Sequence, residues 1–439
     1  MIMKKTLALI LAAVMALSLV ACAKTPANGG TEAKGSVYYL NFKPEADQAW
    51  QDLAKTYTEQ TGVEVKVVTA ASGQYDTMLT SELDKSAPPT MFQVGNQGAV
   101  NSYGDFCYPL DNTDVMKEMT TQDFNLKNAN GETVSIGYCY EAYGIIVNKA
   151  LLKQAGYELS DITNFESLKK VADDIHSRAA ELGFDAFSSA GLEGSSSWRF
   201  SGHLANMPLF YEFRDDKVTA QPAAIKGTYL DAFKNVWDLY TTDSATTGAA
   251  LTTATGDASE AEFGQGKAVF FQNGSWEYAN LVTSDDKGFK MNPEDLAMIP
   301  IYCGVDGEEK AGLCSGTENC WAINSQAKEE DIQASLDFLY WLVTDPDASA
   351  VLVEQLGAVP FKSCPASANK FIVDGNALLA DGKYAVTWAF NYTPNVDSWR
   401  ATVVTALAAY SADPTDANWE AVKTAFVDGW AIEYKTVNG

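Results

Sequence analysis

The sequence predicts an α/β fold, and three observations carry that reading. Strand-like and helix-like runs alternate along the chain without an internal repeat. The first of these runs form a β-α-β unit, the seed of a parallel sheet. Roughly 400 residues are available for folding, enough for two domains with separate cores.

Lys4 and Lys5 form a short basic start, and an apolar stretch follows from Leu7 to Leu17. Leu19-Val20-Ala21-Cys22 then reads as a small-residue cleavage site ending in cysteine. The apolar core is shorter than the roughly 18 residues that a bilayer span needs, so residues 1–21 are expected to be a signal peptide. Cys after small residues matches a bacterial lipobox, with lipid carried on Cys22; the plainer alternative is a secretory peptide with an incidental Cys. The expected location is the outer face of the cytoplasmic membrane, lipid-anchored. Residues 22–35 contain Pro26, Gly29, Gly30 and Gly35 and no large apolar side chain, as in a flexible tether.

Ser36 to Leu40 is β-prone. Glu45 to Gln60 carries Trp50, Leu53, Ala54 and Tyr57 at helical spacing, and Gly62 stands where a helix stops. Val63 to Val68 alternates like a strand, and Met91 to Val94 follows Pro88-Pro89 as another. Gly144-Ile145-Ile146-Val147 reads as a buried strand leading into a helix at Leu151-Leu152. Phe165, Leu168, Val171, Ala172 and Ile175 mark a helix closed by Gly183, and Tyr229 to Tyr240 another. Thr241 to Thr255 has no periodicity and reads as a loop. Gly266 to Phe271 restores a strand. Ile332, Leu336, Leu339 and Val343 form one stripe, stopped by Asp345-Pro346, and two helices follow from Ser398 onward.

The formal net charge is −26, and loss of Lys4 and Lys5 with the leader makes it two units more negative. Such a surface speaks against nucleic acid and anionic lipid as partners, and against an anionic substrate unless a local basic pocket overrules it. Cys107, Cys139, Cys303, Cys314, Cys320 and Cys364 are scattered without a C-x-x-C pair, so no metal site is expected. Cys303 and Cys314 flank a Gly-containing turn and are either a hairpin pair or buried free thiols.

Catalytic motifs are missing: no G-x-S-x-G, H-E-x-x-H or G-x-x-x-x-G-K-[ST] occurs. Gly264-Gln265-Gly266 lacks the third glycine of a dinucleotide fingerprint, because Val269 stands there. No cofactor and no catalytic residue is therefore expected. The acidic pairs at Asp173-Asp174, Asp215-Asp216, Asp285-Asp286 and Glu308-Glu309 read as solvated surface, and Glu329-Glu330-Asp331 suits a helix N-terminus. His203 reads as a hydrogen-bonded wall residue rather than a base. Aromatics in polar turns are the stronger signal. Trp198, Trp276 and Trp399 each lie in a Gly-, Ser- or Pro-containing segment. An indole held this way either packs inward or offers a flat face to a sugar.

At these residues the chain resembles the extracellular solute-binding lipoproteins of ABC importers, in the carbohydrate branch with the maltose- and glycerol-phosphate-binding proteins. The resemblance rests on Phe263-Gly264-Gln265-Gly266-Lys267-Ala268 through Asn273-Gly274-Ser275-Trp276, on Tyr143 to Lys149, and on Asp337-Phe338-Leu339 through Leu356-Gly357-Ala358-Val359-Pro360. Asn41 to Glu45 with Gly73-Gln74-Tyr75-Asp76 resembles a Gram-positive subgroup. It implies a two-lobed periplasmic-binding-protein-like fold with hinge strands and an interlobe cleft. The implied division is 36–145 and 302–362 for the N-terminal lobe, 146–301 and 363–439 for the C-terminal lobe. It also implies ligand contacts at Phe42, Glu45, Asn96, Gln97, Glu141, Tyr143, Trp198, Arg199, Trp276 and Trp399. The implied function is capture of a neutral sugar or oligosaccharide by a monomer that hands it to ABC permease subunits. The alternatives are a phosphorylated polyol or peptide ligand, with Lys43, Arg199 and Arg400 as candidate cations, or a surface glycosidase.

Overall fold

The computed structural model describes residues 34–439. Cys22 and all but the last two residues of the expected tether lie outside these residues. Strand β1 (Ser36–Asn41) leads through a 3-10 turn at Pro44–Ala46 into helix α1 (Asp47–Thr61) and parallel strand β2 (Glu64–Thr69). Trp50, Leu53, Ala54 and Tyr57 are the buried face of α1. Gly62 ends it in the left-handed region, donating its N–H to Thr58 O. Helix α2 (Tyr75–Leu83), strand β3 (Met91–Gln93), helix α3 (Gln97–Tyr103) and strands β4 (Leu126–Lys127) and β5 (Thr133–Gly137) complete the first pass.

The chain then crosses to a second sheet through strand β6 (Glu141–Asn148), all of it buried. Helix α4 (Phe165–Ser177), strand β7 (Asp185–Phe187) and helices α5 (Asn206–Asp216), α6 (Leu230–Thr242) and α7 (Gly256–Gly264) follow. The loop expected before α7 contains a 3-10 helix at Gly248–Thr253. Strands β8 (Ala268–Gly274), β9 (Leu296–Ile299) and β10 (Ala311–Gly316) precede the return to the first sheet as β11 (Cys320–Ile323). Helices α8 (Glu329–Thr344) and α9 (Pro346–Leu356) lie on the first lobe. The second is completed by α10 (Lys370–Ala380), β12 (Tyr384–Thr387), α11 (Val396–Ala412) and α12 (Asp416–Asn438).

The first sheet has the order β2-β1-β3-β11-β5-β4, and the second β12-β10-β6-β8-β7 with β9 paired to β6. Both sheets are covered on both faces. Met91 and Phe92 of β3 enter opposite apolar clusters, as do Trp321 and Ala322 of β11 and Ile145 and Ile146 of β6. Burial on both sides explains why these strands read as unbroken apolar runs.

Two crossings are tied to each other: Tyr138 N–H donates to Asn319 O at 3.0 Å, and the Thr317 hydroxyl to Cys139 O at 2.6 Å. A third joins them where Tyr140 N–H donates to Ala358 O at 2.9 Å. The sheets place the lobe boundaries differently from the resemblance. Glu141 already belongs to the second sheet, and Ala311–Gly316 still does, so the return lies after Gly316 and not at 302.

Cys303 and Cys314 are free thiols, and Cys314 Sγ lies 3.7 Å from Met207 Sδ. Glu308 departs from the expectation of a solvated acid. Its carboxylate is buried and accepts backbone N–H bonds from Phe165 (2.6 Å), Cys303 (2.6 Å) and Gly304 (2.9 Å). It thereby pins the β9–β10 connection to the start of α4.

Candidate functional site

Three aromatic groups converge on the second lobe's side of the crossings. β8 ends at Gly274, and the chain turns so that the Trp276 ring folds back over it. A Cβ on Gly274 would lie 2.2 Å from that ring. Gly274 is not in the left-handed region. Its missing side chain is needed for close approach, not for a sharp turn. Trp276 is half-buried and meets His203 at 5.2 Å and Trp198 at 5.8 Å between ring centroids. Trp198 sits edge-on to His203 at 4.9 Å and donates its indole N–H to Ser195 O at 3.0 Å.

His203 stacks at 4.1 Å on Tyr143. It is not the hydrogen-bonded wall residue expected, since its Nδ1 has no partner. Burial, then the Arg400 and Arg199 charges, hold its pKa well below the ordinary value, so the ring is neutral near pH 7.

Arg400 lies alongside. Its guanidinium packs against Gly202, where a Cβ would come within 2.7 Å, and its Cζ stands 5.0 Å from the centre of the Phe390 ring. Glu318 on the second crossing and Asp397 on α11 are 3.9 and 4.0 Å from its nitrogens. Asp76 of the first lobe feels both Asp397 and Arg400. Burial first, then Asp397, raise its carboxyl to about 6, with Arg400 opposing. Burial likewise raises Glu318 against Arg400's pull.

The lobes touch away from the crossings. The Ser72 hydroxyl donates at 3.0 Å to Ser195 O, the same carbonyl that takes the Trp198 N–H. Gly98 of α3 packs on the Thr393–Pro394 backbone. This is a closed arrangement.

At the hinge, Lys43 is buried between two carboxylates, Glu141 at 2.7 Å and Glu45 at 2.9 Å. Glu141 also accepts the Asn319 side-chain amide at 2.7 Å. Phe42 packs edge-on to Tyr75 at 5.4 Å. Asn96 is the N-cap of α3, accepting from Ala99 N–H, and Gln97 is exposed with its amide on Lys127 O.

Three expected contacts are corrected. Trp399 is fully buried, with its indole N–H on Phe426 O at 2.9 Å and its ring against Phe426 and Trp430. Asn395 caps α11, so Trp399 falls on the helix's inward face with Val403, Leu407 and Tyr410. Arg199 is 1% exposed, inside the second lobe near Gln272 O and Ser259 Oγ. Tyr143 is also fully buried, on a strand whose register sets it against Cys314, and it supports the His203 ring instead of presenting a surface.

The buried Glu260 and the half-buried Glu277 form a carboxylate pair near Arg199. Asn280 donates its amide to both, Asn273 to Glu277 at 2.8 Å, and Lys287 pairs with Glu260 at 3.1 Å. Burial, then Glu260, raise the Glu277 carboxyl.

Sequence reasoning passed over Asp76, Glu318 and Asp397 and named Arg400 only as a candidate cation for a phosphorylated ligand. The available signal for Arg400 was its place beside Trp399: one helix step, about 100°, separates a core residue from one that leaves the core. Among the described residues no group of three or more His, Cys, Asp or Glu could hold a metal, and no helix is long and apolar enough to cross a membrane.

The sequence profile described as bacterial extracellular solute-binding protein matches residues 52–377. No curated protein matches the chain significantly. The fold is similar to a solute-binding protein, RafE, solved in complex with raffinose (TM-score 0.70, 16% identity, 90% of this chain and 99% of that one). It is similar to AcbH, a bacterial solute receptor described as preferring β-D-galactopyranose (TM-score 0.69, 15% identity, 92% and 100%). It is also similar to the GacH receptor of Streptomyces glaucescens, studied unliganded and with acarbose (TM-score 0.64, 17% identity, 92% and 99%).

Proposed function

The chain belongs to the bacterial extracellular solute-binding protein family, and from that premise we propose that it captures a neutral sugar or oligosaccharide between its lobes and delivers it to the permease of an ABC importer. Cys22 carries the lipid that holds this monomer on the outer face of the cytoplasmic membrane.

The observation that carries the sugar reading is the pairing of an aromatic wall with a polar rim. Trp198 and Trp276 converge on a neutral His203, and Arg400, Glu318 and Asp397 lie beside them. The apolar C–H face of a pyranose stacks on such rings, and its hydroxyls bond to a planar guanidinium and to carboxylates. That several neighbours of the same fold are described with sugar ligands supports the same reading.

Charge argues against a phosphorylated polyol. Glu45, Asp76, Glu141, Glu318 and Asp397 outnumber Lys43 and Arg400, and Arg199 is enclosed in the second lobe. A glycosidase needs two carboxyl groups free to face a sugar. The pair Glu260–Glu277 is instead engaged by Asn273, Asn280 and Lys287.

A thermal-shift screen tests the proposal, because a ligand selective for the folded state raises the melting temperature by mass action. Neutral oligosaccharides should raise it. A rise with phosphorylated polyols or peptides and none with sugars would overturn the reading.

A further inference from the structure

We infer that Lys43 is a positioning residue that joins the ligand-facing carboxylate of Glu45 to the hinge, so that ligand capture and lobe angle are set through one ammonium group. The inference rests on the proposed reading only in taking Glu45 to face the ligand.

Lys43 stands in the connection between β1 and α1, in the first lobe. Its backbone is clamped by the buried Asn41, whose side chain accepts Lys43 N–H at 3.0 Å and donates to Lys43 O at 2.9 Å. The ammonium is thereby aimed at the crossings. It meets Glu141, the first residue of the second sheet's β6, at 2.7 Å. The other oxygen of Glu141 takes the amide of Asn319 on the second crossing. Asn319 N–H in turn donates to the Thr317 hydroxyl, which bonds Cys139 O. One buried cation thus touches the first lobe's leading loop and, through Glu141, both crossings.

The third contact gives the network a direction. The Glu45 side chain is 30% exposed, whereas those of Lys43 and Glu141 are 4% and 6%. A ligand hydroxyl at Glu45 therefore acts on a carboxylate whose counter-charge is already shared with the hinge. Burial opposes the Lys43 charge, but Glu141 and then Glu45 outweigh it and hold its pKa above the ordinary value. The ammonium remains charged throughout the working range, and the coupling is electrostatic and steric, not a titration.

A structural ion pair and a positioning residue make different demands. Removing one partner of a buried pair leaves an uncompensated charge, whereas removing both relieves it. The test compares the full chain with Lys43→Met and with Lys43→Met combined with Glu141→Gln. Three readouts are taken: melting temperature, ligand-free radius of gyration from solution scattering, and affinity for raffinose, maltotriose and xylotriose. Lys43→Met should lower the melting temperature and enlarge the ligand-free protein. The double variant should regain the melting temperature yet stay enlarged, with affinity for any sugar that binds the wild type at least tenfold weaker. If Lys43→Met does not fold, the double variant alone is compared with wild type. Unchanged scattering in the variants, or a double variant restored in scattering and affinity together, overturns the inference. If none of the three sugars binds the wild type, the sugar reading fails for them, and scattering still decides the role of Lys43.

Discussion

Trp276 and Trp399 look alike in the sequence, each an indole in a polar segment, and differ at the residue scale by what surrounds the ring. Trp276 is half-buried against His203 and Trp198, with its indole N–H unpartnered. Trp276→Ala should weaken sugar binding by about 2 kcal/mol, as for an aromatic hot spot, with little loss of melting temperature. Affinity left intact in that variant would remove Trp276 from the site. Gly274→Ala should mimic it, because the added methyl displaces the ring that lies 2.2 Å from the Cβ position. Trp399→Ala should show the opposite pattern. Its ring fills the space between α11 and α12, so the variant should lose about 3–5 kcal/mol of stability, measured by denaturant unfolding. Whether an indole points in or out depends on the helix phase, and neighbouring Ser, Pro and Asn residues do not encode that.

At the scale of elements, caps and apolar stripes were legible and connections were not. Helix α8 ends at Asp345 as the stripe of Leu336, Leu339 and Val343 implied, because Asp345 then accepts N–H bonds from Asp347 and Ala348 to start α9. Glu308 was misread because an acidic pair beside a glycine looks solvated. Three backbone N–H groups from two elements meet its carboxylate, and no local pattern reports that meeting. Glu308→Ala should orphan all three and cost about 3 kcal/mol or more, since bonds to a charged acceptor are worth about 1.5–3 kcal/mol each and are not additive. Denaturant unfolding measures the loss, and a cost below about 1 kcal/mol would show that solvent replaces the carboxylate.

At the scale of the whole molecule, the closed arrangement has a pH dependence of definite sign. Asp76 belongs to the first lobe and Asp397 and Arg400 to the second, and Tyr103 also faces Asp76. In the closed arrangement burial and then Asp397 hold the Asp76 carboxyl at about 6, above its ordinary 3.8, and the Asp397 share of that rise exists only when the lobes meet. The closed state therefore binds the proton more tightly than the open state does. Closure gains stability as pH falls from about 6 toward 4 and loses it as pH rises through the same window. The ligand-free radius of gyration should shrink on acidification from pH 7 to 5, and Asp76→Asn should abolish the change. A profile that stays pH-dependent in Asp76→Asn would assign the effect elsewhere. A saturating sugar should also reduce the radius of gyration if capture is closure. Cys22→Ala, outside the described residues, should release the protein from the membrane fraction if the lipid supplies the insertion energy.

The sequence by itself determined the alternation of strands and helices, the apolar runs of strands buried on both faces, and the helix ends at Gly62 and Asp345. These rest on periodicity and on single-residue backbone preference, which act within a few positions. Only the tertiary structure decided where the chain crosses between lobes, which tryptophan enters a core, and that Asp76, Arg400 and Glu318 share one environment. Asp76 and Arg400 lie on opposite lobes, and the chain makes three crossings between them. Their proximity depends on sheet order and lobe closure, and neither is written in the neighbours of either residue.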